Sequence, residues 1–307
     1  MISLLPSSRE MRYLRGNLHG HSTHSDGIHP PEQVASIYKS LGYDFICLSD
    51  HLWNNPRFSA QTVLDASFLN TETFIVIPSA ELHCFGKKYD QDSLWHILAN
   101  GLPFDFKMAR KNETVFELVS RAKSAGAFVT IAHPEWYSMT TDEALQVSHA
   151  HGVEIYNHSC RIGSGRSSGV AVVDTLLQEG HRISITATDD SHFKMPDAGG
   201  GWVMVASNSY TADDIVSALK GGQHYSSSGV EINDLYVDNG VLFLNCSPAM
   251  NITLCGAGHF AKSVNGMNIS KAEFDLTQLK TPWFRITIND AGGRMAWSNP
   301  YWLEDIF

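Results

Sequence analysis

The segment NLHGHSTHSDG, residues 17–27, places three histidines and an aspartate within a few positions of one another. Histidines two residues apart do not share a helix face, but on a strand they point the same way. His19 and His21 would then face one side, and Asp26 would return to them from the following turn. Two imidazoles and a carboxylate converging at a strand end are the donor set of a divalent metal.

Similar residue types recur further along, each at the end of a short apolar run: His51 after DFICLS, Glu81 in IVIPSAELH, His133 after AFVTIA, Asn157 and His158 after VEIY, Asp190 and His192 after RISITATD. The runs alternate with helical patterns. PPEQVASIYKSLG has Pro31 at a helix start, Val34, Ile37, Tyr38 and Leu41 on one face, and Gly42 to end it. ETVFELVSRAKSAG, DEALQVSHAHG, GVAVVDTLLQEG and TADDIVSALKGG read as further helices. With GWVMVAS as a seventh run, the alternation predicts a parallel β/α architecture that closes, or nearly closes, into a barrel. Barrels of this kind carry their sites at the carboxyl ends of the strands, where all these polar residues fall. From about residue 231 the texture changes to β-like rhythms around Asp-Asn-Gly and Gly-Gly turns. Residues 1–230 therefore read as one barrel and 231–307 as a small β appendage.

Composition narrows the function. The formal net charge is −10 with no basic stripe, which argues against an extended nucleic-acid surface. No apolar run reaches the roughly 20 residues of a membrane helix. The five cysteines are scattered without a CxxC pair, which suggests reduced thiols and a cytoplasmic location. Of fifteen histidines, thirteen precede residue 193, so the bias belongs to the barrel.

Taken in order, HGHSTHSDG, LSDH, AELH, IAHP and TDDSH resemble the motifs of the PHP (polymerase and histidinol phosphatase) superfamily, over residues 17 to about 229. The tail, with GGQHYSSSG and AWSNPYW, more weakly resembles the CehA/McbA-type branch of carbamate and ester hydrolases. The resemblance implies a distorted (β/α)7 barrel holding two or three divalent ions, Mn, Fe or Zn. It assigns His19, His21, Asp26, His51, Glu81, His133, Asp190 and His192 as ligands. One further ligand slot falls on His96, in LWHILAN, or on His158, in EIYNHS. His19, His21, Glu81 and Asp190 would serve one ion, Asp26, His51 and His192 a second, and Glu81, His133 and His96 or His158 a third. Asp26, Glu81 and His192 are the residues expected nearest the chemistry. Ser49, Asp189 and Ser191 would orient imidazoles.

The implied activity is hydrolysis of a small phosphorylated metabolite or nucleotide by a metal-bridging hydroxide. Phosphate recognition would fall to Arg161 and Arg166 in HSCRIGSGRSSG, with Lys194 a weaker candidate of the same kind. The same hydroxide would serve a carboxyl-ester, carbamate or amide hydrolase, and the direction of the two arginines separates the readings. A non-catalytic metal or ligand binder is the third reading, and the near-complete ligand set argues against it. The expected partner is a small molecule, with neither nucleic acid nor membrane involved.

Overall fold

A computed structural model describes residues 1–9, 11–54 and 60–307. The strands and helices of the first part are β1 (Ile2–Leu5), β2 (Tyr13–Asn17), α1 (Pro31–Ser40), β3 (Phe45–Leu48), β4 (His51–Leu52), β5 (Ile75–Phe85), β6 (Leu94–Asn100), α2 (Val115–Ser124) and β7 (Phe128–Ile131). These are followed by α3 (Thr141–Gln146), β8 (Gly152–Asn157), α4 (His158–Ser164), α5 (Val170–Gln178), β9 (Ser184–Thr188), β10 (Trp202–Ala206), α6 (Ala212–Lys220) and β11 (His224–Ser227). The last part is strands, β12 (Ile232–Asp238), β13 (Val241–Gly256), β14 (Ala261–Asp275), β15 (Trp283–Asn289), β16 (Met295–Ser298) and β17 (Tyr301–Trp302), ending in one 3-10 turn, Leu303–Asp305.

Local chemistry sets the helices. Pro31 opens α1, which buries Val34, Ala35 and Tyr38. The inward face is thus rotated from the expected one, and Leu41 lies largely exposed. Thr114 and Glu117 form a reciprocal capping box at the start of α2, as Thr140 and Glu143 do for α3.

The architecture is α/β with a mixed, open sheet, and it corrects the expected alternation twice. β2, β3 and β5 run parallel, and so do β7, β8 and β9. Between them β6, the segment LWHILAN, is a strand antiparallel to both β5 and β7. GWVMVAS, the expected seventh parallel strand, is β10, antiparallel to β2 and to β11. It occupies the edge of β2 that a closed barrel would give to β9. Only beyond the end of β2 do the two meet, at a single bridge between Gly20 and Ser191.

That bridge matters for the site. His21 N–H donates to the Ser191 carbonyl at 2.9 Å, and Asp190 N–H to the His19 carbonyl at 2.8 Å. The segments HGH and DDS are therefore laced together by their backbones.

Past residue 231 the strands are antiparallel, with Asn239 and Gly240 both at positive φ in the β12–β13 turn. β1, from the amino terminus, pairs with β12, and β16 pairs with β11. The five cysteines form no disulfide. Among the described residues no helix is long and apolar enough to cross a membrane.

One buried group gives the fold an acid sensitivity. His224 is fully enclosed on β11, its Nε2–H 3.2 Å from the Ile185 carbonyl. Burial pushes its pKa down to about 4. Between the ordinary value near 6.5 and that value the unfolded chain takes up a proton that the folded chain refuses. Stability therefore falls as pH drops through this window, by an amount on the order of 3 kcal/mol. Ser226 Oγ also donates to the Ile185 carbonyl, so His224→Phe leaves no orphan there. Urea midpoints measured from pH 7 to 4 should decline less steeply in this variant; parallel declines would rule the residue out.

Candidate metal centre

The elements deliver the donors as follows. His19 and His21 leave the end of β2. Asp26 sits in the turn that follows, which Asp50 organises by accepting from the N–H and hydroxyl groups of Ser22 and Ser25 at 2.6–3.1 Å. His51 on β4 stands in register with Glu81 on β5, and His83 on β5 with His96 on β6. His133 follows β7, and Asp190 and His192 follow β9. His133 (φ 26°) and Asp190 (φ 57°) both hold left-handed backbone, strain of the kind that persists where the surroundings enforce a geometry.

Glu81 is the hub and is buried. Its Oε2 lies 2.8 Å from His51 Nδ1, 3.4 Å from His19 Nε2 and 3.5 Å from His21 Nε2. Its Oε1 lies 2.6 Å from His96 Nδ1 and 3.3 Å from His133 Nε2. Asp190 Oδ1 is 3.2 Å from His19 Nε2 and 3.1 Å from His21 Nε2. Asp26 Oδ1 is 3.4 Å from His51 Nε2 and 3.2 Å from His192 Nε2. Among the described residues five overlapping groups result, each with donor atoms within 4.8 Å: His21, Asp26, His51 and His192; His19, His133 and Asp190; His19, His21 and Glu81; Glu81, His96 and His133; and His51, Glu81 and His83.

The donor chemistry fits divalent ions. His19 Nε2, His21 Nδ1, His133 Nδ1 and Asp26 Oδ1 are buried without a hydrogen-bond partner. An orphaned buried polar atom costs about 1–3 kcal/mol, which a coordinated ion removes. His19 is the sharpest case. Its Nδ1–H points at Glu154 Oε1, 2.7 Å away, so the Nε2 lone pair faces two carboxylates. Only a positive charge resolves that contact.

Without an ion the site draws in protons instead. Burial opposes charge on His19, yet Asp190, Glu154 and Glu81 hold its pKa well above the ordinary value. Burial likewise opposes charge on His192, but Asp26 and Asp190 push it up to about 9. Burial and the nearby His192 and His51 drive His21 down to about 4.

No family model and no curated protein matches this chain. Among solved structures it is similar to a two-domain protein from Bacteroides vulgatus that contains a predicted PHP-like metal-dependent phosphoesterase. That likeness covers 94% of each chain at 16% identity, with a TM-score of 0.55. The chain shares the fold of that protein. A proposed metal-dependent phosphoesterase from Bifidobacterium adolescentis is 13% identical and covers 66% of this chain and 94% of its own, with a TM-score of 0.42.

Within this fold, three expected residues stand apart from the cluster. His158 opens α4, and its Nδ1 pairs with the Tyr156 hydroxyl at 2.8 Å. Among the described residues it belongs to none of these groups, whereas His96 stands with Glu81 and His133 in one of them. Gly200 packs on the His158 ring so closely that a Cβ there would lie 2.2 Å from it, which accounts for glycine in this passage. Arg161 and Arg166 are exposed and do not line the cavity; their guanidinium groups reach the Tyr156 hydroxyl and the Trp136 carbonyl, at 3.5 and 3.4 Å. Arg161 lies on α4 and Arg166 two residues past its end, and a loop read from sequence carries no such direction. Lys194 does line the cavity, its Nζ 2.7 Å from Asp26 Oδ2.

The sequence reading passed over Glu154 and gave His83 no ligand role. Glu154 is buried on β8 and fixes His19. It was detectable as one charge inside the apolar run VEIY. His83 is buried with Nε2 2.8 Å from His51 Nδ1 and Nδ1 3.0 Å from the Trp95 carbonyl. Its signal was its spacing of two from Glu81. Of the residues expected to orient imidazoles, Asp189 instead holds the backbone, accepting the N–H groups of Gly199, Gly200 and Gly201 at 2.7–2.8 Å.

Proposed function

We propose that this chain is a metal-dependent hydrolase of phosphate esters, acting on a small phosphorylated metabolite or nucleotide. One observation carries the reading: three of the five metal-competent groups share Glu81, at the base of a cavity of about 620 Å³. Two or three divalent ions, Mn, Fe or Zn, would be held by His19, His21, Glu81 and Asp190, by Asp26, His51 and His192, and by Glu81, His96 and His133. Bound ions would lower the pKa of water toward neutrality and offset charge on the scissile group. The chain's part is orientation. Glu154 fixes the His19 tautomer, and the His192 Nδ1–H donates to the Asp190 carbonyl at 2.9 Å, leaving Nε2 for Asp26 and an ion. Lys194 places a cation at the mouth, where an anionic substrate enters. In this reading β2, β3 and β5–β9, bridged at Gly20 and Ser191, are a distorted (β/α)7-type barrel that β10 leaves open, within residues 1–230, 231–307 are its appendage, and the protein works in the cytoplasm.

A second reading is favoured by the outward arginines: a carboxyl-ester, carbamate or amide hydrolase, as in the CehA/McbA-type branch, needs no phosphate clamp. The test runs Mn-loaded and Zn-loaded protein on aryl phosphate mono- and diesters beside aryl carboxyl esters, with His21→Ala and Asp190→Ala as controls. Phosphate turnover that disappears in both variants is expected. Turnover of carboxyl esters alone would move the chain to the second reading, and undiminished turnover in both variants would sink the metal site.

A further inference from the structure

The cavity has a wall that the metal chemistry does not use, built by residues 86–93 and 133–138. The first segment closes on itself, with the N–H groups of Gly86 and Lys87 donating to the Ser93 carbonyl at 2.9 and 3.1 Å. Asp90 lies inside this loop, and its side chain is 5% exposed. Its Oδ2 accepts the backbone N–H groups of Asp92 and Leu94, both at 2.9 Å. Among the described residues no hydrogen bond reaches its Oδ1, which stands 3.8 Å from His96 Nε2 where Asp90 lines the cavity. A carboxylate held so firmly, with Oδ1 open to the cavity, presents a fixed acceptor to whatever enters it.

The opposite part of the wall is fixed to it. Lys87 is fully buried, with Nζ 3.0 Å from the Tyr137 carbonyl and 3.0 Å from Glu143 Oε2. This ties the Asp90 loop to the segment carrying Trp136. The Trp136 indole is 5.5 Å from the His96 ring and 5.1 Å from that of His133, and it is 38% exposed beside the cavity. Gln91 and Ser159 add groups that both donate and accept, and Ser164, whose hydroxyl donates to the Cys160 carbonyl at 2.9 Å, adds an acceptor.

We infer that this wall selects substrates whose leaving group carries hydroxyls, the chemical class of sugar and polyol phosphates. The inference rests on the phosphoesterase reading and adds its specificity. Asp90 Oδ1 accepts one or two O–H donors, the indole covers a C–H face, and the neutral amide and hydroxyls answer the remaining donors and acceptors. An ammonium group would satisfy Asp90 but offers nothing for Gln91 and Ser159 to donate to, and Lys194 in the same cavity repels it.

Asp90→Asn is the informative change. The N–H groups of Asp92 and Leu94 demand an oxygen at the Oδ2 position, so the amide NH2 turns to the cavity and an acceptor becomes a donor. The experiment measures kcat/KM of metal-loaded wild type and variant on glycerol phosphate, glucose 6-phosphate, propyl phosphate, 2-aminoethyl phosphate and 4-nitrophenyl phosphate. Wild type should prefer the hydroxylated esters to propyl phosphate by at least about ten-fold, and the variant should lose about that preference relative to 4-nitrophenyl phosphate. Metal content, measured alongside, should not change. No preference in wild type, an equal loss on every ester, or a preference for 2-aminoethyl phosphate overturns the inference while the phosphoesterase reading stands. No turnover of any phosphate ester by wild type overturns both.

Discussion

Glu81→Gln should abolish metal loading of the central site and lower kcat/KM by roughly a thousand-fold or more, while leaving the chain folded. The substitution keeps size and shape and removes only charge. Five imidazole nitrogens lie within 3.5 Å of the Glu81 oxygens. In the metal-free protein an amide tolerates that company, because its NH2 can donate to a neutral imidazole lone pair. The backbone of Glu81 is held independently, its N–H bonded to the Ser49 carbonyl at 2.9 Å. A divalent ion has no such alternative: it loses a carboxylate charge at the point where three donor groups overlap. Two measurements separate the roles. Metal stoichiometry of the purified variant should fall, and the rise in stability on adding metal should shrink. In wild type that rise is about 2.7 kcal/mol at a hundred-fold excess over Kd. A variant with full metal content and an unchanged metal-induced rise would show that Glu81 is a buried scaffold charge and not a ligand. Equal destabilisation with and without metal would point to packing.

The parts of this centre that were legible in the sequence share a property: each is encoded by its immediate neighbours. His19 with His21, and Asp190 with His192, announce themselves by a spacing of two at the end of an apolar run. The hairpin turn at Asn239 and Gly240 is equally local, because only such residues accept two successive positive φ values. What stayed hidden depends on partners. β6 is seven residues of nearly continuous apolar character, LWHILAN, and nothing in it states whether it runs parallel or antiparallel. GWVMVAS reads the same as a barrel strand or as a strand antiparallel to β2, and the second arrangement is what keeps the sheet open. The outward turn of Arg161 and Arg166 follows from the placement of α4, a short helix whose stability comes from tertiary packing more than from propensity. His83 and His96 meet because of a strand pairing. The donor types were thus readable, whereas the geometry that places His96 beside Glu81 and His158 beside Tyr156 was not.

Glu154 shows the same limit most clearly, since its main partner is 135 residues away, and it carries the second large effect. The two oxygens of this buried carboxylate serve four donors. Oε1 accepts from His19 Nδ1 at 2.7 Å and Thr188 Oγ1 at 2.8 Å; Oε2 accepts from His133 N at 2.7 Å and Asn157 Nδ2 at 3.0 Å. The carboxyl ends of four strands, β2, β7, β8 and β9, thus converge on one side chain. Glu154→Gln cannot reproduce this, because wherever its NH2 turns it meets two donors. The variant should lose about 10–100-fold in metal affinity, as the His19 ring is freed from its tautomer and orientation. It should also lose about 2–4 kcal/mol of stability in the metal-free protein, from buried donors left without an acceptor. Glu81→Gln is expected to spare the metal-free fold, so the two glutamates separate by urea unfolding in chelator. Metal titration then completes the distinction, with a graded loss for Glu154→Gln against near-complete loss for Glu81→Gln. Wild-type affinity in Glu154→Gln would mean that packing alone orients His19. Wild-type stability in chelator would mean that water replaces the carboxylate among its four donors.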